Sequence, residues 1–323
     1  MLKTAALAFG LLASFDATTN AELETVKLSH PIGSSAEVFL FGAHVKSFRA
    51  AMDKNLDILF MSNESFVDGV NPIRGGIPVV FPNFGSAEGF PSHGFARITN
   101  WTLDGVTEAT NNNEATVATF SMASSDSTRT MWAVDFELKY EVSLFPNQLK
   151  TALRVHNTFS SDIEFHALLH NYLWVDDVHD EGVTVNGLKG VDYYDKVAKA
   201  NLTETRESIS FANQTDSVYS NAPSPLTVNI RGVNNMDRWL EISKTAYIGN
   251  DDTTSDVAEA MAEVETDAVV WNPWTDRAKT MEDFGDEEYK NMVAVEPGRV
   301  SEKQQLPAGK MYTLQQSISV FSM

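Results

Sequence analysis

The sequence predicts an all-β protein, a β-sandwich or barrel of many short antiparallel strands. Three observations carry that reading. From Leu23 onward the dominant spacing of apolar residues is every second position. Turn-forming Pro, Gly, Asn and Asp punctuate the apolar runs, and long stretches with the helical period are nearly absent.

The clearest strand is Met131 to Leu144. Trp132, Val134, Phe136, Leu138, Tyr140, Val142 and Leu144 share one face, and Asp135, Glu137, Lys139 and Glu141 share the other, the pattern of a sheet with one wet side. Pro146-Asn147 then turns the chain into Leu149, Thr151, Leu153 and Val155, which predicts a hairpin. Ala36 to Phe48, Thr116 to Met122 and Met311 to Val320 are further β-rich runs, and Val183 to Val185 and Ala268 to Trp271 are shorter ones. Val257 to Val264 reads as a short acidic helix and Arg277 to Met281 as a helical turn or two. No internal repeat and no linker divides the chain, so residues 22–323 are expected to form a single domain.

Composition narrows the function. The chain has 323 residues, 43% hydrophobic and 21% charged, ordinary for a soluble globular protein with ample core. Its net charge of −20 argues against nucleic acid or an anionic membrane surface as partner. An anionic substrate would also be repelled at long range, so local cations must overcome that field. The absence of cysteine excludes disulfides, thiolate nucleophiles and Cys-ligated zinc. Met1-Leu2-Lys3, the apolar run to Phe15 and small residues near Thr19 and Ala21 read as a secretory signal over residues 1–21. That run is too short to span a bilayer, so the mature chain is expected to lack an integral membrane segment. The protein is accordingly expected in the secretory pathway or outside the cell; the competing reading is an apolar extension of a cytoplasmic protein. Sequons at Asn63, Asn100, Asn201 and Asn213 are compatible with secretion, and an Asn- and Thr-rich chain also yields them by chance.

Three stretches could carry chemistry. Asn71 to Arg97 is rich in Gly and Pro and is bracketed by Arg74 and Arg97, with His93 beside the second. Arginine forks suit a phosphate or carboxylate; the alternative is a surface loop whose arginines pair with local acids. His166 and His170 have the four-residue spacing of a zincin metal site, but Ala167 stands where that motif needs Glu. On a strand, positions 166, 168 and 170 share one face, and a hydrogen-bonded core histidine is the competing account. Asp283-Phe284-Gly285 lacks the companion motifs of a kinase, and the acidic run around it reads as a solvated face. Glu296 ends an apolar run and shares a face with Met292 and Ala294. Such surroundings raise a carboxyl pKa toward that of a useful base.

Taken in order, Arg74-Gly75-Gly76-Ile77-Pro78, Phe81-Pro82, Phe84-Gly85, His93-Gly94-Phe95-Ala96-Arg97 with Trp101, Leu168-Leu169-His170 with Tyr172, and Met292-Val293-Ala294-Val295-Glu296 form one set. Together with Val185-Asn186-Gly187-Leu188, Tyr193-Tyr194-Asp195-Lys196-Val197, Asp216 and Tyr219, that set resembles the aldose 1-epimerase family. Within the family it resembles the hexose-6-phosphate mutarotase (glucose-6-phosphate 1-epimerase) branch. The resemblance runs from Ile73 to Gly298. It implies a galactose mutarotase-like supersandwich and an isomerase that interconverts the α and β anomers of a hexose 6-phosphate, with no metal or organic cofactor. It further implies His170 as general acid, Glu296 as general base, Arg74 and Arg97 on the phosphate, and Asp216 and His93 on sugar hydroxyls. Ser92 stands where close relatives carry a substrate-contacting Gln and joins the substrate-binding set. The chain departs from the common pattern at Gln214, Ser217 and Ala294, where the family often has Cys at the last. A monomer is expected. Two other functions stay open: an epimerase for unphosphorylated aldoses, and a non-catalytic carbohydrate-binding β-sandwich.

Overall fold

A computed structural model describes residues 22–232, 237–250 and 261–322; the signal segment over residues 1–21 lies outside them. Among the described residues the strands form three antiparallel sheets of three, eight and ten strands.

The ten-stranded sheet contains the strongest alternation in the sequence. Phe136–Phe145 pairs with Gln148–Asn157 from Phe136 opposite Asn157 to Phe145 opposite Gln148, so Pro146 and Asn147 make the whole turn. Phe136, Leu138, Tyr140, Val142 and Leu144 are fully buried. Lys310–Ser322 lies against Gln148–Asn157, and Arg238–Asn250 lies against Lys310–Ser322.

The eight-stranded sheet positions the site. Its strands run in the order Ala200–Thr203, Asp192–Asp195, Thr215–Tyr219, Asp267–Asn272, Met292–Leu306, Ile163–Leu169 and Val79–Val80, with Tyr172–Trp174 also paired to Met292–Leu306. Met292–Leu306, an interior strand of this sheet, is covered on both faces, so residues 292–298 are all buried and show no alternation of exposure. Val293, Val295, Val270, Ala167 and Leu169 join Leu153, Val155, Leu240 and Leu314 in the main core. Val80, Leu168, Val218, Val269 and Val300 form a separate cluster. Side chains alternate across a strand, so the second cluster sits on the opposite face. Each fully buried aliphatic side chain contributes roughly 1.5–3 kcal/mol of transfer free energy.

Several elements differ from the sequence expectation. The long strand starts at Phe136, because residues Asp126–Met131 form a helix. The Ser125 hydroxyl accepts from Thr128 N–H while the Thr128 hydroxyl accepts from Ser125 N–H, a capping box that alternation alone does not reveal. Ala36 to Phe48 divides into Ser35–Phe39 and His44–Arg49. The expected helix at Val257 to Val264 lies outside the described residues up to 260, and Ala262–Val264 is a strand paired with Ala246–Ile248. The short helix expected near Arg277 begins earlier, spanning Trp274–Ala278 after Pro273.

Candidate active site

Cross-strand register aims the site. Glu296 is opposite Val269, Trp271 is opposite both Asp216 and Ala294, and Ala294 is opposite Tyr172. Paired residues point to the same face. Leu168 is opposite Gly298, two residues beyond Glu296, so the strand ending at Leu169 delivers His170 to that face as well. The face is the one floored by the small valine–leucine cluster. A cavity of about 470 Å³ opens there, and Arg74, Ser92, His93, Arg97, His170, Asp216 and Glu296 all line it. The structure thus brings all seven residues singled out in the sequence to one place.

His170 and Glu296 meet at the floor. Nδ1 of the histidine is 3.5 Å from Oε2 of the glutamate, and the two side chains are 9% and 1% exposed. Neither atom has a hydrogen-bond partner among the described residues. The imidazole is fixed by its surroundings: His170 N–H donates to the Pro78 carbonyl (3.1 Å), and the ring stacks on Tyr172 with centroids 4.5 Å apart. Trp271 and His93 present their rings edge to face at 6.0 and 5.8 Å. Burial, His93 and the two arginines hold the His170 pKa well below the usual histidine range. Burial, followed by the nearby Asp216, raises that of Glu296 well above the carboxylate range. The pair therefore favours the form with its proton on the glutamate and a neutral imidazole.

The Gly/Pro-rich stretch folds over this floor as turns around the short strand Val79–Val80. At Gly94 φ is +77°, and a Cβ there would collide with the Phe81 carbonyl, so only glycine lets the chain return so closely after His93. His93 N–H donates to Gly85 O (2.8 Å), closing the loop on itself. Burial, then Arg97, keeps the His93 pKa well below the usual histidine range.

The two arginines differ sharply. Arg74 donates through Nε (3.1 Å) and Nη2 (2.9 Å) to Asp283 and through Nη1 to the Tyr172 hydroxyl (2.9 Å). Burial opposes its charge, but Tyr172 and Asp283 more than compensate and raise its pKa. Arg97 has no such partner among the described residues. It is 8% exposed, donates from Nη2 to Ser92 O (2.7 Å) and leaves Nε without a hydrogen bond among the described residues. Burial, against the helpful Tyr172 and beside the repulsive Arg74, lowers its pKa to about 10. Ser92 contributes to this arrangement through its carbonyl.

Asp216 forms an ion pair with Lys196 (3.0 Å), whose ammonium also lies 5.0 Å from the centre of the Phe84 ring. Burial raises the Asp216 carboxyl despite the lysine. The cavity lining carries four cations, Arg74, Arg97, Lys196 and Arg277, against the carboxylates Asp216 and Glu296. A chain of net charge −20 thus has a locally positive pocket.

Sequence reasoning missed several contributors. The acidic run around Asp283 suggests a solvated face, yet the side chain is 15% exposed and holds Arg74. Its partner lies 209 positions away, so no local signal reports the pair. Tyr172 and Lys196 stood inside recognisable motifs without an assigned role. Trp271 and Arg277 come to the pocket through strand register and the short helix at Trp274–Ala278.

Comparison with known proteins agrees with the fold. Residues 24–319 match the aldose 1-epimerase family. A proposed glucose-6-phosphate 1-epimerase of Cenchrus ciliaris is 33% identical over 298 residues, 90% of this chain and 83% of the relative. One from Escherichia coli K12 is 31% identical over 309 residues, covering 93% and 91%. The crystal structure of a proposed mutarotase from Salmonella typhimurium superposes with a TM-score of 0.77 at 27% identity, over 94% of this chain and 92% of that one. With its all-β architecture, its pocket and a family match over nearly all of its length, the chain belongs to the aldose 1-epimerase family.

Proposed function

We propose that the protein is a glucose-6-phosphate 1-epimerase that interconverts the α and β anomers of a hexose 6-phosphate. One observation carries the reading: a buried His170–Glu296 pair, 3.5 Å apart, in a pocket with a surplus of cations. Anomerisation needs a proton delivered to the ring oxygen and another removed from the C1 hydroxyl. His170 supplies the first and Glu296 accepts the second. The ring opens to the aldehyde, C1–C2 rotates, and closure on the other face reverses both transfers. Asp216 and His93 hold ring hydroxyls, and Arg97 with Arg74 takes the phosphate.

The phosphate also prepares the acid. Unoccupied, the arginines help to hold His170 neutral. A dianion on them offsets that field and favours transfer of the Glu296 proton to His170, which yields the imidazolium–carboxylate form that ring opening requires.

Proton exchange NMR between the anomeric signals of glucose 6-phosphate, run beside glucose, tests the assignment. Faster exchange of the phosphorylated sugar is expected. Equal enhancement of both would favour an epimerase for free aldoses, and no enhancement of either would leave a non-catalytic sugar-binding protein. We also propose that residues 1–21 direct the protein to the secretory pathway and that the remainder works as a monomer. N-terminal mass spectrometry of the exported chain and light scattering address these points.

A further inference from the structure

The chain carrying His170 leaves the sheet ladder just where it meets Glu296. Leu168 is opposite Gly298 and Tyr172 is opposite Ala294, two pairings of one register that sets His170 opposite Glu296. Tyr172 directs both backbone groups away from Ala294: its N–H donates to Gly76 O (2.9 Å) and its carbonyl accepts from Phe60 N–H (3.0 Å). In an antiparallel ladder the next inter-strand bond would therefore fall between Asn171 and Val295. That bond is diverted. Asn171 N–H turns back to Leu169 O (3.0 Å), a three-residue turn with His170 at its tip.

The Asn171 side chain takes the place of the missing ladder bond. Its Nδ2 donates to Val295 O (3.0 Å) and to Gln316 Oε1 (2.8 Å), and Gln316 Nε2 donates back to Asn171 Oδ1 (2.9 Å). Asn171 is 0% and Gln316 4% exposed. Gln316 lies on Lys310–Ser322, where Leu314 and Ile318 on its own face enter the main core. The two amides thus meet across the sandwich, between the two large sheets. Gln316 also fixes which way the Asn171 amide points, because the reversed amide would set its oxygen against the Val295 carbonyl.

Resting on the function proposed above, we propose that Asn171, oriented by Gln316, is the positioning residue that sets the separation of His170 and Glu296. Asn171 directly follows the histidine and Val295 directly precedes the glutamate, so one side-chain bond ties the two backbones together. The facing Nδ1 and Oε2 atoms have no hydrogen bond of their own among the described residues. Ring opening needs both groups at one anomeric centre at once, so that separation enters the rate directly. Asn171 and Gln316 lie outside the pocket lining, and their influence reaches the substrate only through the reacting pair.

The test is the double variant Asn171→Leu with Gln316→Met, which removes both amides together and leaves neither unpartnered. Anomeric exchange NMR on glucose 6-phosphate should show kcat lowered about ten- to a hundredfold, with KM within about twofold of the parent. Crystal structures of parent and variant should show the Nδ1–Oε2 separation lengthened from 3.5 Å. A folded variant with parental kcat, a change in KM alone, or an unaltered separation would each overturn the proposal. Should the double variant not fold, Gln316→Met alone keeps the Asn171–Val295 bond but frees the amide to turn. It should lower kcat severalfold at unchanged KM, and an undiminished kcat would overturn the proposal. Absence of turnover by the parent sinks the proposed function alone, since the crystallographic separation still decides whether the amides position the pair.

Discussion

Replacing Arg97 by Met should move binding and stability in opposite directions. The side chain is 8% exposed and, among the described residues, has one hydrogen bond, to Ser92 O, and no carboxylate partner. Burial lowers its pKa from the usual arginine value to about 10, so the folded state holds this proton less tightly than the unfolded one. The charge therefore destabilises the fold in full below about pH 10, and the penalty fades as pH rises above that toward the usual arginine pKa. At 1.36 kcal/mol per pKa unit the cost is roughly 3 kcal/mol at neutral pH. Met fills most of the volume without the charge, so Arg97→Met should gain about 1–2 kcal/mol in urea unfolding, the remainder being lost with the Ser92 bond. Phosphate binding should suffer the reverse. Charge-assisted hydrogen bonds contribute roughly 1.5–3 kcal/mol each, so KM for glucose 6-phosphate should rise about ten- to a hundredfold while glucose turnover stays the same. Anomeric exchange NMR over a concentration series gives KM for both sugars. A variant that unfolds more easily, with an unchanged KM for glucose 6-phosphate, would show that Arg97 serves the Ser92 loop and not the substrate.

Four further substitutions are informative. His170→Ala and Glu296→Gln should each lower kcat by about 10²–10⁴-fold. Because the folded protein binds the Glu296 proton more tightly than the unfolded chain does, the glutamate erodes stability as pH rises above 4.5. Glu296→Gln should accordingly become more stable relative to the parent over that rise; near-normal turnover in a folded variant would remove the catalytic role. Asp283→Asn strips Arg74 of its ion-pair partner and should cost about 1–3 kcal/mol by chemical denaturation, with a raised KM for glucose 6-phosphate. An unchanged KM would leave Asp283 a purely structural partner. Lys244, 2% exposed, donates to Ala222 O and to the Thr266 hydroxyl, and burial lowers its pKa from 10.5 to about 8. The unfolded state binds more protons between those values, so Lys244 should make stability rise from pH 8 to pH 10.5. A Lys244→Met protein that shows the same rise would refute the assignment.

The all-β fold was legible because burial imposes a two-residue period on half-covered strands, and Phe136 to Leu144 and the hairpin after it show that period plainly. Met292 to Gly298 was less so: a strand covered on both faces loses its alternation, and its place in the interior of a sheet is fixed only by the partners Asp267–Asn272 and Ile163–Leu169. Met131 to Asp135 misled because apolar alternation continues there, while a local capping box with a short helix wins. His170, Glu296 and the arginines were visible as residue types in recognisable segments. Their geometry was not, since the Nδ1–Oε2 approach and the Arg74–Asp283 pair are products of tertiary register. The difference between Arg74, neutralised, and Arg97, left without a counter-charge, is likewise invisible until the acids are placed.

The closed turn from Gly85 to His93 has an evolutionary consequence. Its tip, residues 86–89, is exposed, and Gly85 and Gly89 have no heavy atom within 4 Å of where a side chain would begin. Glu296, by contrast, hangs from a strand that shares its packing with the whole interior. Mutations at Ser86, Ala87 and Glu88 are therefore nearly free of folding cost, whereas side chains at Gly85 and Gly89, with φ of +69° and +79°, are strained and mutations beneath the reacting pair are heavily taxed. Lineages can retune which sugar enters, by lengthening or recharging this one turn, while the proton-transfer step is inherited intact.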